Sequence, residues 1–276
     1  MYVYRKHLRA SFLNYILGMI IFLSIGLLSG FAAILSRKAK FEMIDFFILI
    51  IVAIVIFTFI LIEFILLYFL FLRRFKYINV TLEEDAIIYN NSKKKIVIPY
   101  DEIIEIKYPS IRYMGGWMKI KHTNGKIRLT VVLENIGDFM YRLKEILDEG
   151  GKSDVYNKKK SFNFFKTASF SDESWERLYD NVKYLIVMEY VSIIISIILA
   201  FFGIAKNPIF IIWGSVIGPI IGYMIIELII IINNKKRIVK NEFKLLDRDS
   251  SKDNKRIKIA ITVSTLLSII LMIFIR

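Results

Sequence analysis

The stretch FFILIIVAIVIFTFILIEFILLYFLFL, residues 46–72, carries a single formal charge, at Glu63. The hydrocarbon core of a bilayer is about 30 Å thick, and an α-helix needs about 20 apolar residues to cross it. Residues 46–72 are long enough, so they predict a membrane-spanning helix. We therefore expect the chain to be an integral membrane protein.

Four further apolar blocks predict four more spans. They are residues 12–35, 184–205, 208–232 and 259–275, of which the last is the shortest. The first block is too long for a signal-peptide core and lacks a convincing cleavage site, so we expect it to be retained. The spans divide into an N-terminal hairpin (1–72), a second hairpin (184–233) and a C-terminal helix (259–276).

The composition of the 276-residue chain is both apolar and basic. Hydrophobic residues make up 56%, the mean hydropathy is +0.53, and 39 Lys and Arg against 25 Asp and Glu give a net charge of +14. These values exclude a disordered chain, and the lack of cysteine excludes a disulfide scaffold. Because the cations flank the apolar blocks, membrane lipids are a simpler partner than nucleic acid.

The positions of the cations predict the orientation of the chain. Basic clusters stand before the first span and after the second and fourth, at residues 5–9, 73–76 and 235–240. Cytoplasmic loops carry the excess of Lys and Arg. We therefore expect a multi-pass plasma-membrane protein whose N-terminus, segment 73–183 and basic loop 234–258 are cytoplasmic. The loop 36–45 disagrees, since it would lie outside and yet holds three cations.

Residues 73–151 have the alternating pattern of a small β domain. Short apolar runs between turn residues predict strands at Tyr77–Leu82, Ala86–Tyr89, Lys95–Pro99, Ile103–Tyr108, Trp117–His122 and Lys126–Val132. An amphipathic helix follows, with apolar residues on one face from Ile136 to Leu147. Asn135 is placed to cap its start, and Gly150 to end it.

Asn124-Gly125 predicts a type I′ hairpin between the last two strands, because both central residues of that turn take φ > 0. This register sets Ile120 opposite Leu129. One face is then a core face, formed by Met118, Ile120, His122, Ile127, Leu129 and Val131. The other face is basic, with Lys119, Lys121, Lys126 and Arg128. We interpret these four cations as a candidate site for anionic lipid or a protein partner. A solvated charged face is the simpler alternative.

The order of these elements also carries a family resemblance. The segment reads VTLEEDAIIY at 80–89, IPYDEI at 98–103 and GWMKI at 116–120, and ends in the helix. This pattern resembles the bacterial pleckstrin-homology-like (PH-like) domains of membrane proteins, of the YcxB-like kind. The resemblance implies a binding or scaffolding module without enzymatic activity. The expected fold class is an α+β membrane protein, with about five transmembrane helices, an inserted PH-like antiparallel β-barrel or sandwich, and its C-terminal helix.

Residues 152–183 predict a basic and aromatic linker. Lys158, Lys159 and Lys160 precede a group of phenylalanines at 162, 164, 165 and 170. Such rings suit the membrane interface, where ammonium groups meet headgroups, so we expect them there. Packing of the rings on the β domain is the alternative. Beyond them, Trp175 and Leu178 share a helical face, which predicts an amphipathic helix that continues into the third span.

Three glutamates, Glu63, Glu189 and Glu227, lie inside the predicted spans, which contain no Lys or Arg. Ionisable residues in membrane helices often mark ion or proton pathways. We expect these carboxyl groups to be protonated, bound to Ser or Tyr, or gathered around a cation. Hydrogen bonding between helices is the simpler alternative.

Gly214, Gly218 and Gly222 form a doubled GxxxG pattern in the fourth span. Small residues at this spacing let helices approach closely, within one bundle or in a homo-oligomer.

The sequence contains no motif of an enzyme, metal site or cofactor site that we recognise. We predict a non-enzymatic membrane protein whose β domain binds a protein partner or anionic lipid, in a scaffolding, regulatory or envelope self-protection role. The alternative is a small transporter, or an ion- or proton-coupled component, that uses the three glutamates.

Overall fold

The structure is a computed structural model and describes residues 1–36, 43–111, 115–234, 237, 243 and 247–275. The chain divides into two compact units. The β unit comprises Met1–Ala10, Leu67–Glu176 and Asn233–Asp247, and the helical unit comprises Ser11–Leu66, Arg177–Ile232 and Arg248–Arg276. The first ten residues, predicted to belong to the N-terminal membrane hairpin, therefore belong to the β unit. The loop 36–45 lies mostly outside the described residues.

The first sheet of the β unit has the strand order β1-β2-β3-β4, all antiparallel. Its strands are β1 (Tyr2–Val3), β2 (Asn79–Leu82), β3 (Ala86–Asn90) and β4 (Lys95–Pro99). Three of them were predicted. β1 was not, because a strand of two residues shows no alternation and its partner β2 lies far along the chain. The pairing of Tyr2 with Val80 explains why the N-terminus belongs to this unit.

The second sheet contains β5 (Ile103–Lys107), β6 (Ser110–Ile111), β7 (Gly115–His122) and β8 (Gly125–Thr130). β7 pairs with all three of the others. The predicted strands are present in β5, β7 and β8, whereas β6 is another two-residue strand that the sequence pattern missed.

The register of the β7–β8 hairpin differs from the prediction. His122 pairs with Gly125 and Ile120 with Ile127, two residues away from the predicted alignment. Gly125 has a φ of 146° and belongs to the strand, and Asn124 is not in the left-handed region. The predicted type I′ turn at Asn124-Gly125 is therefore wrong. Because side chains alternate with a period of two, the shift leaves every residue on its predicted face.

A helix, α4 (Ile136–Glu149), packs its apolar face into the core of the β unit, where Phe139, Leu143 and Leu147 are buried. Asn135 stands at the N-cap, but its side chain makes no capping hydrogen bond. Its φ of 57° explains this, since a capping side chain normally projects from extended backbone. The prediction that the Asn135 side chain caps the helix is therefore wrong, although the helix begins where expected.

The helix α5 (Lys158–Phe201) begins inside the predicted linker. Residues up to Glu176 belong to the β unit, and those from Arg177 onward belong to the helical unit. Phe164, Phe165 and Phe170 are buried, and the ring of Phe164 lies 5.4 Å from that of Tyr108. The prediction that these rings lie at the membrane interface is wrong for Phe164 and Phe165, because their rings pack in the hydrophobic core of the β unit.

Five helices in the described ranges are long and apolar enough to cross a membrane, at Phe12–Ser36, Ile50–Phe75, Lys158–Phe201, Pro208–Asn233 and Ser250–Phe274. Each of the five predicted spans is therefore present as a long apolar helix, and the set fits a multi-pass membrane protein of mixed α and β structure. The 44 residues of α5 make a helix of about 66 Å at 1.5 Å per residue. Only its apolar C-terminal part is therefore needed to cross the hydrocarbon core.

The helical unit contains α1 (Phe12–Ser36), α2 (Met43–Leu67), the second part of α5, α6 (Pro208–Ile212), α7 (Gly218–Asn234) and α8 (Ser250–Phe274). In the chain, α2 leads through the π-helical turn Tyr68–Leu72 into the short α3 (Arg73–Phe75). α8 starts at Ser250, inside the predicted loop 234–258, because Asp249 caps it by accepting a 3.0 Å hydrogen bond from the Lys252 N–H.

Candidate functional site

The outer face of the second sheet carries the four cations predicted from the sequence. Their partners on the opposite face, among them Met118, Ile120 and Leu129, are buried. Lys119 pairs with Arg128 and Lys121 with Lys126 across the hairpin. The structure thus brings the four predicted cations together on one surface, which we call the basic face. Lys126 and Arg128 are the two that are exposed.

Trp117 adds an aromatic ring to the basic face, since it precedes Lys119 by two positions on β7. The guanidinium of Arg128 lies 3.8 Å from the centre of the Trp117 ring, within the range of a cation–π contact. The sequence analysis missed this residue. The signal in the sequence was its spacing, because Trp117, Lys119 and Lys121 occupy every second position of one strand and therefore share a face.

One carboxylate lies among these cations. Glu105 on β5 accepts a 2.7 Å hydrogen bond from Lys121 and lies 3.1 Å from Lys107. The hydrogen bonds from Lys121 and Lys107 lower the pKa of Glu105, and the carboxylate in turn raises the pKa of Lys121. At neutral pH Glu105 is therefore ionised and partly neutralises this edge of the basic face.

Lys158, Lys159 and Lys160 form the exposed first turn of α5. Asn157 accepts a 3.0 Å hydrogen bond from the Lys160 N–H. Lys160 also lines a polar groove of about 580 Å³ together with Lys107 and Asp154. Cations at a helix N-terminus oppose the helix dipole, so these lysines do not serve to stabilise the helix.

The helical unit holds a second set of polar groups, on the buried face of α5. Arg177, Asn181, Glu189, Ser192 and Ser196 are all buried there. The sequence analysis recognised Glu189 with the two serines, but it missed Arg177 and Asn181, which it placed in a juxtamembrane helix with an apolar face. The spacing of four residues from Arg177 to Asn181 was a signal that a polar face continues along the helix.

Arg177 is fully buried, with 0% of its surface exposed, and it binds Glu227 of α7 through two hydrogen bonds. Its Nε lies 2.8 Å from Oε2 and its Nη2 lies 2.7 Å from Oε1. Asp253 of α8 approaches the guanidinium to 4.0 Å and Nε of Arg248 to 3.9 Å. Glu227 is thus one member of an ionic cluster that joins α5, α7 and α8.

Asn181 extends this cluster by donating a 2.9 Å hydrogen bond to the side chain of Asn254.

Glu189 is 4% exposed, and neither of its carboxyl oxygens has a hydrogen-bond partner in the described part of the chain. Its neighbouring serines bind backbone carbonyls, Ser192 that of Gly214 at 3.2 Å and Ser196 that of Ser192 at 2.7 Å. Ser192 and Ser196 therefore do not stabilise the carboxyl group, contrary to one of the arrangements expected from the sequence.

Glu63, the third membrane glutamate, is exposed on α2. The three glutamates thus have three different environments, and Arg177 occupies both oxygens of Glu227. Within the described ranges there is also no group of three or more His, Asp or Glu side chains able to hold a metal ion.

The glycines of the doubled GxxxG pattern face α8 of the same chain. A Cβ added at Gly218 would lie 2.7 Å from Cβ of Ser268, and one at Gly222 would lie 2.7 Å from the Ala260 carbonyl oxygen and from Cβ of Ser264. At Gly214 it would meet Met272. The stripe therefore serves packing within the bundle, one of the two roles predicted for it.

A π-helical turn, Trp213–Ile217, contains Gly214 and separates α6 from α7, which begins at Gly218. Pro219 follows it and has no N–H to donate to the carbonyl four residues earlier, which accounts for the irregular turn. Ser264 of α8 donates a 2.5 Å hydrogen bond to the Gly218 carbonyl, as polar side chains do where a membrane helix departs from regular geometry.

Comparison of the chain with protein-family models, curated proteins and solved structures finds no match.

Proposed function

We propose that the chain is a non-enzymatic integral membrane protein whose β unit binds the anionic headgroups of the inner leaflet of the plasma membrane. The observation that carries the proposal is the basic face, where Trp117 and four cations share the outer side of one small sheet. The β unit would lie in the cytoplasm, as the positive charge next to the spans predicts.

The chemistry of this surface fits a membrane interface. Tryptophan is enriched at the level of the headgroups, and Arg128 lies over the Trp117 ring. A Lys or Arg near an anionic membrane contributes about 1 kcal/mol. The two exposed cations, Lys126 and Arg128, would together supply about 2 kcal/mol before salt screening. That amount suits a reversible contact made by a unit that is already tethered to the membrane.

The architecture of the β unit supports a binding module. Two antiparallel sheets enclose a core into which α4 packs, an arrangement in keeping with the proposed PH-like domain. A protein partner with an acidic surface is the other occupant that the basic face would suit, in a scaffolding or regulatory role. The transport alternative has weaker support, because Arg177 holds Glu227 in an ion pair.

The test uses the fluorescence of Trp117 in the full chain, with Trp175→Phe and Trp213→Phe removing the other two tryptophans. The chain is placed in lipid nanodiscs that contain brominated acyl chains, which quench tryptophan at short range. We expect stronger quenching when the nanodisc contains phosphatidylglycerol than when it contains only phosphatidylcholine. The double substitution Lys126→Glu, Arg128→Glu should abolish the difference.

A matched control is available in the turn between β3 and β4. Lys93→Glu with Lys94→Glu changes the net charge by the same amount away from the basic face, and it should leave the quenching unchanged. Equal quenching in both lipids, or equal loss in both double variants, would exclude the lipid proposal and leave a protein partner as the occupant.

A further inference from the structure

An apolar groove of about 280 Å³ runs between α1 and α2 of the helical unit. Leu23, Gly26 and Leu27 form one wall, and Val52, Ile56 and Ile60 form the other. A Cβ added at Gly26 would have no atom within 4 Å. The backbone of α1 is therefore open to close approach at this point, which is the geometry that small residues provide for helix packing in membranes.

The helix α2 contributes little to the core of the helical unit. None of the described residues in the most apolar window of the span Ile50–Phe75 is buried. Its contact with α1 includes Phe64, whose ring stacks with Phe12 at a centroid distance of 6.0 Å. Phe59, which is 71% exposed, precedes the groove residue Ile60, and Glu63 follows Ile60 by three positions.

Glu63 lies on the same side of α2 as the groove, because residues 52, 56, 59 and 63 follow the spacing of three and four that defines one helix face. Its carboxyl group is exposed. It makes no hydrogen bond or ion pair with any residue that the structure describes. Glu63 precedes Arg73 by ten positions, or about 15 Å along the helix, which places it deep in the hydrocarbon region.

A carboxyl group that faces lipid at this depth is unfavourable, and such residues pair with one another or face a protein interior. We propose that the groove and Glu63 form the docking site for a transmembrane helix of another protein, which carries a Lys or Arg that binds Glu63. A helix is the element that lies between two other helices in a membrane without leaving backbone groups unsatisfied. The partner's cation supplies the opposite charge that Glu63 does not find among the described residues.

A second copy of the chain fits this site less well. The predicted spans of this chain contain no Lys or Arg that could bind Glu63 of a second copy. The predicted partner is therefore a different membrane protein with a basic residue inside a spanning helix.

The test is photo-crosslinking in living cells with benzoylphenylalanine introduced into the full chain. At Phe59 the probe faces the groove side, and at Ile54, which is 58% exposed, it faces the other side of the same helix. We expect one protein adduct from position 59 and none from position 54. The captured protein, identified by mass spectrometry, must contain a Lys or Arg within a spanning helix.

Substitutions then test each part of the site. Glu63→Gln should reduce the adduct at least tenfold, whereas Glu63→Asp should largely retain it. Gly26→Leu should fill the groove and remove the adduct, whereas Gly26→Ala should retain it. Replacing the partner's cation by Glu should restore the adduct when combined with Glu63→Lys. A product of twice the mass of the chain, an adduct indifferent to Glu63, or no protein adduct would each overturn the proposal.

Discussion

The ion pair between Arg177 and Glu227 makes the sharpest energetic prediction. Glu227→Gln keeps the shape of the side chain and removes its charge. The guanidinium of Arg177 is fully buried and donates hydrogen bonds of 2.7 and 2.8 Å to the carboxylate. Removing one partner of a buried ion pair costs about 3–5 kcal/mol, because an uncompensated charge remains.

Asp253, at 4.0 Å from the guanidinium, offsets part of that loss. We therefore expect a value near the lower limit, about 3 kcal/mol, which corresponds to about a 150-fold change in the folding equilibrium.

The assay is reversible unfolding of the purified full chain in mixed detergent micelles, followed by helical circular dichroism. The double variant Arg177→Met, Glu227→Leu removes both charges. Its unfolding free energy should lie within about 1 kcal/mol of that of the wild type, since well-packed apolar side chains replace buried ion pairs at little cost. Glu63→Gln, at an exposed position, is the matched control and should change stability by less than about 0.5 kcal/mol.

A loss of under 1 kcal/mol for Glu227→Gln, or a double variant as unstable as the single one, would refute the assignment of Glu227 to a buried ion pair.

Three further predictions test other parts of the structure. Gly222→Ala should lower the unfolding free energy by about 1–3 kcal/mol, because its Cβ would lie 2.7 Å from the Ala260 carbonyl oxygen; Gly26→Ala, in open space, should have no effect in the same assay. Glu189→Met should raise the unfolding free energy by about 1–3 kcal/mol, since the substitution removes a buried polar group without a partner among the described residues. A loss of stability would contradict this environment. Glu105→Gln should strengthen the Trp117 quenching in nanodiscs that contain phosphatidylglycerol, because it removes the carboxylate that partly neutralises the basic face. Lowering the pH through the depressed pKa of Glu105 should have the same effect, because the protonated carboxyl group carries no charge. Quenching that neither change alters would refute this role.

The local architecture was largely predictable because it depends on short-range pattern. Runs of apolar residues long enough to cross a bilayer identified all five long apolar helices, and alternation identified the longer strands. The basic face was correct even though the hairpin register was shifted, because a shift of two residues preserves the face of each side chain. Lys119 and Arg128 therefore share a surface in either register.

The features that were missed depend on contacts between distant segments. β1 is recognisable only from its pairing with β2, which lies on the other side of two membrane spans in the sequence. Arg177 acquires its role from Glu227, fifty positions away. The phenylalanines after Lys160 were assigned to a membrane surface because the sequence does not show that the β unit has room for their rings. In each case the residue itself is visible in the sequence, but the partner that gives it its role lies in a distant segment that local pattern does not identify.

The proposals depend most on the side of the membrane on which the basic face lies. The chain has no cysteine, so single cysteines can be introduced at Lys126 on β8 and at Lys206 in the turn between α5 and α6. Intact cells expressing each variant are treated with a membrane-impermeant maleimide, and labelling is compared with that after lysis. The account predicts that Lys206→Cys is labelled in intact cells and that Lys126→Cys is labelled only after lysis. Labelling of Lys126→Cys in intact cells would contradict it.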